Sequence, residues 1–202
     1  MSNASLDDGR RRFLTVVTSG VGLVGCAALA VPFVSSMAPS ARAKAAGAPV
    51  EVDISQLELG QMLTIEWRGK PVWIVNRTAD MLQGLDDLVD ELSDPTSEQP
   101  QQPVYATNEY RSIRPEILVV VGICTHLGCA PTKKFELGAA SGVSKDWKGG
   151  FYCPCHGSLF DLAGRVYRNV PAPTNLEVPP YSYIGENQIL VGVDPQEESK
   201  DV

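Results

Sequence analysis

Cys124-Thr125-His126-Leu127-Gly128-Cys129 and Cys153-Pro154-Cys155-His156-Gly157-Ser158 decide how this chain is read. Together they hold four of its five cysteines and both of its histidines. Residues so scarce and so clustered point to ligand chemistry rather than packing. The spacing is C-x-H-x2-C, then, after an intervening loop, C-x-C-H. Thiols and imidazoles at short spacing serve both zinc sites and iron–sulfur centres, so zinc is the rival to an iron–sulfur reading. Six candidate ligands exceed the four that one tetrahedral zinc ion takes. A loop merely stapled by disulfides is the third reading.

The two boxes resemble the Rieske iron–sulfur signature, and in detail that of the Rieske subunits of cytochrome bc1 (quinol–cytochrome c reductase) complexes. The resemblance implies one [2Fe–2S] cluster, with Cys124 and Cys153 on one iron and His126 and His156 on the other. It implies a Cys129–Cys155 disulfide between the two loops, a pair that Rieske ferredoxins and ring-hydroxylating oxygenases typically lack. It also implies that the Ser158 hydroxyl donates to a bridging sulfide. The family's tyrosine, which donates to a cysteine ligand sulfur, falls on Phe160, and phenylalanine has no hydroxyl to give. Val170-Pro171-Ala172-Pro173 resembles the family's proline loop over one side of the cluster, stiffened by fixed proline φ angles.

Such a ligand set has a physical consequence. Two ferric ions, two sulfides and two thiolates sum to zero charge, and neutral imidazoles add nothing. An all-thiolate site starts more negative and takes an electron less readily. Rieske centres as a class therefore lie at roughly −150 to +300 mV, against about −400 mV for plant-type ferredoxins. Each imidazole also keeps one ring nitrogen free for a proton, so electron and proton uptake are linked.

The N-terminal part is a different kind of sequence. Gly9-Arg10-Arg11-Arg12-Phe13-Leu14 resembles a twin-arginine export signal, and no charged residue follows Arg12 until Arg42. Residues 1–12 read as a cytoplasmic segment and 13–36 as a transmembrane helix, long enough for a bilayer core and tolerant of Gly20, Gly22 and Gly25. The arginines ahead of the span place the N-terminus in the cytoplasm and the remainder outside. Ala41-Arg42-Ala43 reads as a cleavage site, but the apolar run is longer than a signal core, so a retained anchor is expected. Cys26, within the span, reads as a small apolar residue. Residues 37–49 are a small-residue linker with room for a turn or two of helix, and resemble the family's hinge.

Residues 50–202 are expected to form the soluble Rieske domain, with a cluster-binding subdomain at about 116–175. The expected fold is mainly β: a transmembrane helix, a flexible hinge, then an antiparallel β-sandwich with one helix. Strand-like runs occur at 50–54, 61–68, 71–77, 116–123, 151–152, 176–178, 181–184 and 188–193. Met81, Leu82, Leu85, Leu88, Val89 and Leu92 predict a helix from Thr78 to about Ser93, its paired acids forming a solvated face. Residues 93–103 and 130–150 read as loops, and the last nine residues as a frayed polar tail.

The net charge is −7, and five basic and two acidic residues precede Pro49, which leaves −10 on the remainder. That excludes nucleic-acid binding and leaves a basic protein surface as a suitable partner. The family resemblance implies an electron-transfer subunit in a dimeric complex with cytochrome b and cytochrome c1. There His156 meets a quinol at the cytochrome b site, and the head, on the periplasmic side of the bacterial inner membrane, carries the electron to cytochrome c1. The alternative is the small Rieske subunit of an exported, arsenite-oxidase-type enzyme. The segment 78–102 and the loop between the boxes argue against it.

Overall fold

A computed structural model describes residues 7–195; the first six residues of the arginine segment and the polar tail from 196 lie outside it. The chain divides into one unit through Ala45 and a second from Ala46.

The first unit holds helix α1 (Asp8–Ser36), which begins just before the arginine run, ahead of the apolar stretch. Asp7 caps it, its carboxylate accepting the Arg10 N–H at 3.2 Å. At 1.5 Å per residue it is about 44 Å long, more than the roughly 30 Å of a hydrocarbon core. None of its residues is buried against protein, and Phe13, Leu23, Leu29 and Phe33 stand open. Three of its hydroxyls turn back onto the helix's own carbonyls, Thr15 to Arg11 at 2.9 Å, Ser35 to Pro32 at 3.0 Å and Ser36 to Phe33 at 2.7 Å. Beyond Arg12 the helix carries no charge and is predominantly apolar, which suits lipid. Within the expected linker the alanines form helix α2 (Ala41–Ala46), started by Ser40, whose hydroxyl accepts the Ala43 N–H.

The second unit is mainly β, with three antiparallel sheets of three strands each. The first, in the order β1-β9-β8, joins β1 (Val50–Asp53) to β9 (Gln188–Val191) and β8 (Tyr181–Tyr183). The second is β2 (Met62–Trp67), β3 (Lys70–Asn76) and β4 (Ile117–Val121) in chain order. β2 and β3 form the expected hairpin, and β4 is buried along its whole length, as its unbroken apolar run requires. The third is β5 (Thr132–Lys134), β6 (Gly150–Tyr152) and β7 (Leu159–Phe160). One core spans them, with Val52, Val72, Ile74, Leu118, Val120, Phe151, Phe160 and Ile189 in it. Trp73 stacks on Phe151 at 5.0 Å, which ties the second sheet to the third. Full burial of each aliphatic side chain contributes about 1.5–3 kcal/mol.

Three expectations change. The helix from Thr78 to about Ser93 is instead a short α3 (Ala79–Gln83) followed by a 3-10 turn at Asp86–Glu91. The buried Arg165 takes the Leu85 carbonyl at 2.9 Å, an acceptor that a continuing α-helix would need. Leu85 and Leu88, three apart, also pack into different apolar clusters, Leu85 with Leu162 and Leu88 with Trp147 and Tyr167. Residues 176–178 make no strand: Leu176 N–H donates to Gly164 and Val178 N–H to Gln101, while the Glu177 carbonyl accepts the Val121 N–H of β4 at 2.8 Å, so the segment ties two loops to β4 without forming a ladder. The expected loop at 130–150 contains β5 and a 3-10 turn at Gly138–Ser141, its Trp147 Nε1 donating to the Lys134 carbonyl at 2.8 Å.

Candidate metal centre

β4 delivers the chain into the first box, while β6 and β7 bracket the second. Both boxes close in the same way. Cys124 N–H donates to the Cys129 carbonyl at 2.8 Å, and Gly128 N–H to the Cys124 carbonyl at 3.0 Å. In the second, Cys153 N–H donates to the Ser158 carbonyl at 2.8 Å, and Gly157 N–H to the Cys153 carbonyl at 2.9 Å. Each closure needs a left-handed residue at the fifth position, and glycine supplies it, with φ of 82° at Gly128 and 78° at Gly157.

This frame turns Cys124 and Cys153 inward, each 2% exposed, and leaves His126 half-buried and His156 exposed. The imidazole rings are 4.8 Å apart between centroids and nearly perpendicular, at 86°. Cys129 and Cys155 form a disulfide between the loops. The sulfurs of Cys129, Cys153 and Cys155 lie within 4.8 Å of one another, but a disulfide sulfur is no thiolate, so only Cys153 of the three is free to ligate. Burial pushes the Cys124 thiol up, opposed by hydrogen bonds from the His126 N–H and the Ser158 hydroxyl and reinforced by the adjoining Cys153 thiol. Two buried thiols side by side, with two imidazoles at the rim, fit a diiron cluster held by sulfur at one end and nitrogen at the other. The same four donors also satisfy zinc, so the donor set alone does not choose.

A third loop holds both boxes. Thr125 Oγ1 donates to the Thr174 carbonyl at 2.7 Å, and the fully buried Ser158 Oγ accepts the Ala172 N–H at 3.0 Å. Pro171 and Pro173 stand exposed in that loop, as do Leu127 and Pro154 in the boxes. Behind it, Arg111 Nη2 donates to the Leu176 carbonyl at 2.7 Å and Nη1 to Ala163 and Gly164. Burial pulls the Arg111 guanidinium down to about 10, against the attraction of Asp161 and Asp94, so it stays protonated at neutral pH. Asp161 itself is fully buried and paired with Arg165 at 2.7 Å. The sequence reading missed Thr125, Thr174 and Arg111. Thr125 had a signal, since it sits inside the first box; Arg111 had none, because a lone arginine reads as surface.

The model of the Rieske [2Fe–2S] domain matches residues 49–181, and that of the reductase Fe–S subunit twin-arginine signal matches residues 1–40. The chain is thus of the Rieske class, and its cofactor is a [2Fe–2S] cluster rather than zinc. The ubiquinol–cytochrome c reductase iron–sulfur subunit of Allochromatium vinosum is 58% identical over 96% of this chain and 93% of its own. That of Blastochloris viridis is 44% identical over 95% of this chain and 97% of its own. Among solved structures, a chain of a hyperthermophilic respiratory Complex III covers 87% of this chain and 98% of its own at 26% identity, with a TM-score of 0.46. The chain belongs to the family of ubiquinol–cytochrome c reductase iron–sulfur subunits.

Proposed function

We infer that this chain is the electron-transfer subunit of a membrane-anchored bc1 complex, taking electrons from quinol at a cytochrome b site and passing them to cytochrome c1. Of the two enzymes left open by the sequence, family membership favours this one over an arsenite-oxidase subunit. Cys124 and Cys153 hold one iron, and His126 and His156 the other. When bound, the cluster supplies acceptance of one electron at a time. The observation that carries the reading is the asymmetry of the site: two thiols 2% exposed, and an imidazole exposed at the tip.

His156 is the residue that meets the quinol hydroxyl, its free ring nitrogen accepting the hydrogen bond and then the proton. Leu127 (71% exposed), Pro154 and Pro171, in the boxes and the third loop, offer exposed apolar surface that displaces water when the head docks in a quinol pocket. The buried Cys124 and Cys153 keep solvent from the sulfur end. Ser158 orders the proline loop over that end through Ala172.

Residues 13–36 anchor the chain in the inner membrane with the arginines on the cytoplasmic side and the head in the periplasm. The linker at 37–49 allows the head to alternate between the two cytochromes of a dimeric complex. Electron paramagnetic resonance of dithionite-reduced membranes tests the ligand set. The low average g value of a histidine-ligated cluster is expected, with complete loss in Cys124→Ala and in Cys153→Ala. Zinc in place of iron, or a signal that survives either substitution, would overturn it.

A further inference from the structure

The disulfide at the site has a third sulfur beside it. Cys153 Sγ lies within 4.8 Å of both Cys129 Sγ and Cys155 Sγ, and the three differ in surroundings. Cys153 is buried, Cys129 half-buried and Cys155 exposed. Attack within this group needs no access from solvent, so burial of Cys153 does not protect the disulfide from it. Only occupation of the Cys153 sulfur does, because a thiolate bound to metal is not available as a nucleophile.

We propose that in the cluster-free head Cys153 exchanges with the Cys129–Cys155 disulfide, producing a Cys129–Cys153 bond and a free Cys155, and that the bound cluster prevents this. The inference rests on Cys153 being a cluster ligand. The Cys153 thiol gives its proton to water, its sulfur bonds to Cys129 Sγ, the Cys129–Cys155 bond breaks, and Cys155 leaves as a thiolate that takes up a proton. One disulfide and one thiol go in and one of each come out, so no oxidant or reductant is required.

Attack falls on Cys129 for two reasons. The departing sulfur is then Cys155, whose charge emerges in water, whereas attack on Cys155 would expel a thiolate at the half-buried Cys129. Attack on Cys155 would also close a small ring around Pro154, whose φ is fixed. The exchanged chain has lost a ligand thiol to a disulfide and cannot take up a cluster. The head must therefore be loaded before its disulfide is made, which suits a signal of the twin-arginine type, a route for folded proteins.

The test is disulfide mapping by mass spectrometry on the full chain in detergent, loaded or freed of iron with a chelator under anaerobic conditions. Free thiols are trapped with an alkylating reagent over time. The loaded chain should give only the Cys129–Cys155 peptide pair, with neither Cys124 nor Cys153 alkylated. After iron removal that pair should be lost, the Cys129–Cys153 pair should appear, and Cys155 should become alkylated. Cys153→Ser, which lacks the ligand thiol and is carried through the same chelator treatment, should keep Cys129–Cys155 and leave Cys155 unlabelled. Alkylation of Cys153 in the loaded chain would instead overturn the ligand reading. A protected loaded chain whose iron-free form keeps Cys129–Cys155 and alkylates Cys153 would overturn the exchange alone. So would labelling of Cys155 in Cys153→Ser.

Discussion

Cys124–Cys129 and Cys153–Ser158 are the same backbone loop with different side chains hung on it. In both, the first residue donates to the carbonyl of the sixth, and the fifth is a glycine that donates back. At the third position the first loop has His126 and the second Cys155; at the fourth, the first has Leu127 and the second His156. The shift of one place leaves one imidazole half-buried and the other exposed. It also lets the sixth residue of one loop, Cys129, reach the third residue of the other in a disulfide. The other sixth residue, Ser158, is free to turn inward. The frame thus fixes where the inward thiols sit, and the shift on top of it makes the two loops unequal.

Breaking the covalent tie should have the largest effect on stability. The disulfide spans 26 residues, for which loop-closure entropy gives about 3.5 kcal/mol. Cys129→Ala combined with Cys155→Ala should lower the unfolding free energy of the loaded head by about that amount in a denaturant titration, with faster loss of the visible cluster absorbance. A loss under about 1 kcal/mol would mean that the third loop, through Thr125 and Ser158, already holds the boxes together.

Ser158 and Thr125 sharpen the inequality at a smaller scale. Both bind the third loop, but only the Ser158 hydroxyl also faces the Cys124 sulfur. A donor at a ligand sulfur favours the reduced, more negative site, so Ser158→Ala should lower the midpoint on the order of 60 mV, the equivalent of about 1.4 kcal/mol for one electron. Thr125→Ala, which removes the bond to Thr174 alone, should leave the midpoint unchanged while costing about 1 kcal/mol of stability. Equal midpoints in the two variants would show that Ser158 acts by positioning and not through its hydroxyl dipole.

The contrast between the loops also marks what could be read from sequence. Scarce residue types at fixed spacing announced the boxes, and alternating or continuous apolar runs announced β2, β3, β4, β8 and β9. The stretch after Thr78 misled because periodicity records which residues are apolar and not which neighbour they meet. Leu85 and Leu88 fit one helical face, yet they enter separate clusters, and Arg165 takes the Leu85 carbonyl that the next helical turn would need. Arg77, Arg111 and Arg165 are all buried, and their partners are mostly carbonyls from segments far along the chain. No local pattern encodes such contacts. The third loop was visible through Pro171 and Pro173, but its bonds to Thr125 and Ser158 exist only once the sheets have brought the boxes together.

Phe160 offers the finest adjustment, because it lies on the second loop's side alone. It is fully buried in β7, opposite Phe151 and bridged to Val166. Its ring fills the core but offers no donor to a sulfur, unlike the Ser158 hydroxyl at Cys124. Phe160→Tyr adds one phenolic hydroxyl in a tightly packed place. If that hydroxyl reaches a ligand sulfur, the reduced site gains a donor, and the midpoint should rise on the order of 30–60 mV by redox titration. The sign is opposite to that of Ser158→Ala, and the double variant should fall between the two. Without a sulfur to meet, the same hydroxyl would only crowd the core, lowering stability by about 1–3 kcal/mol at an unchanged or lower midpoint. That outcome would separate Phe160 from the tuning of the cluster and leave it as a packing residue behind the second loop.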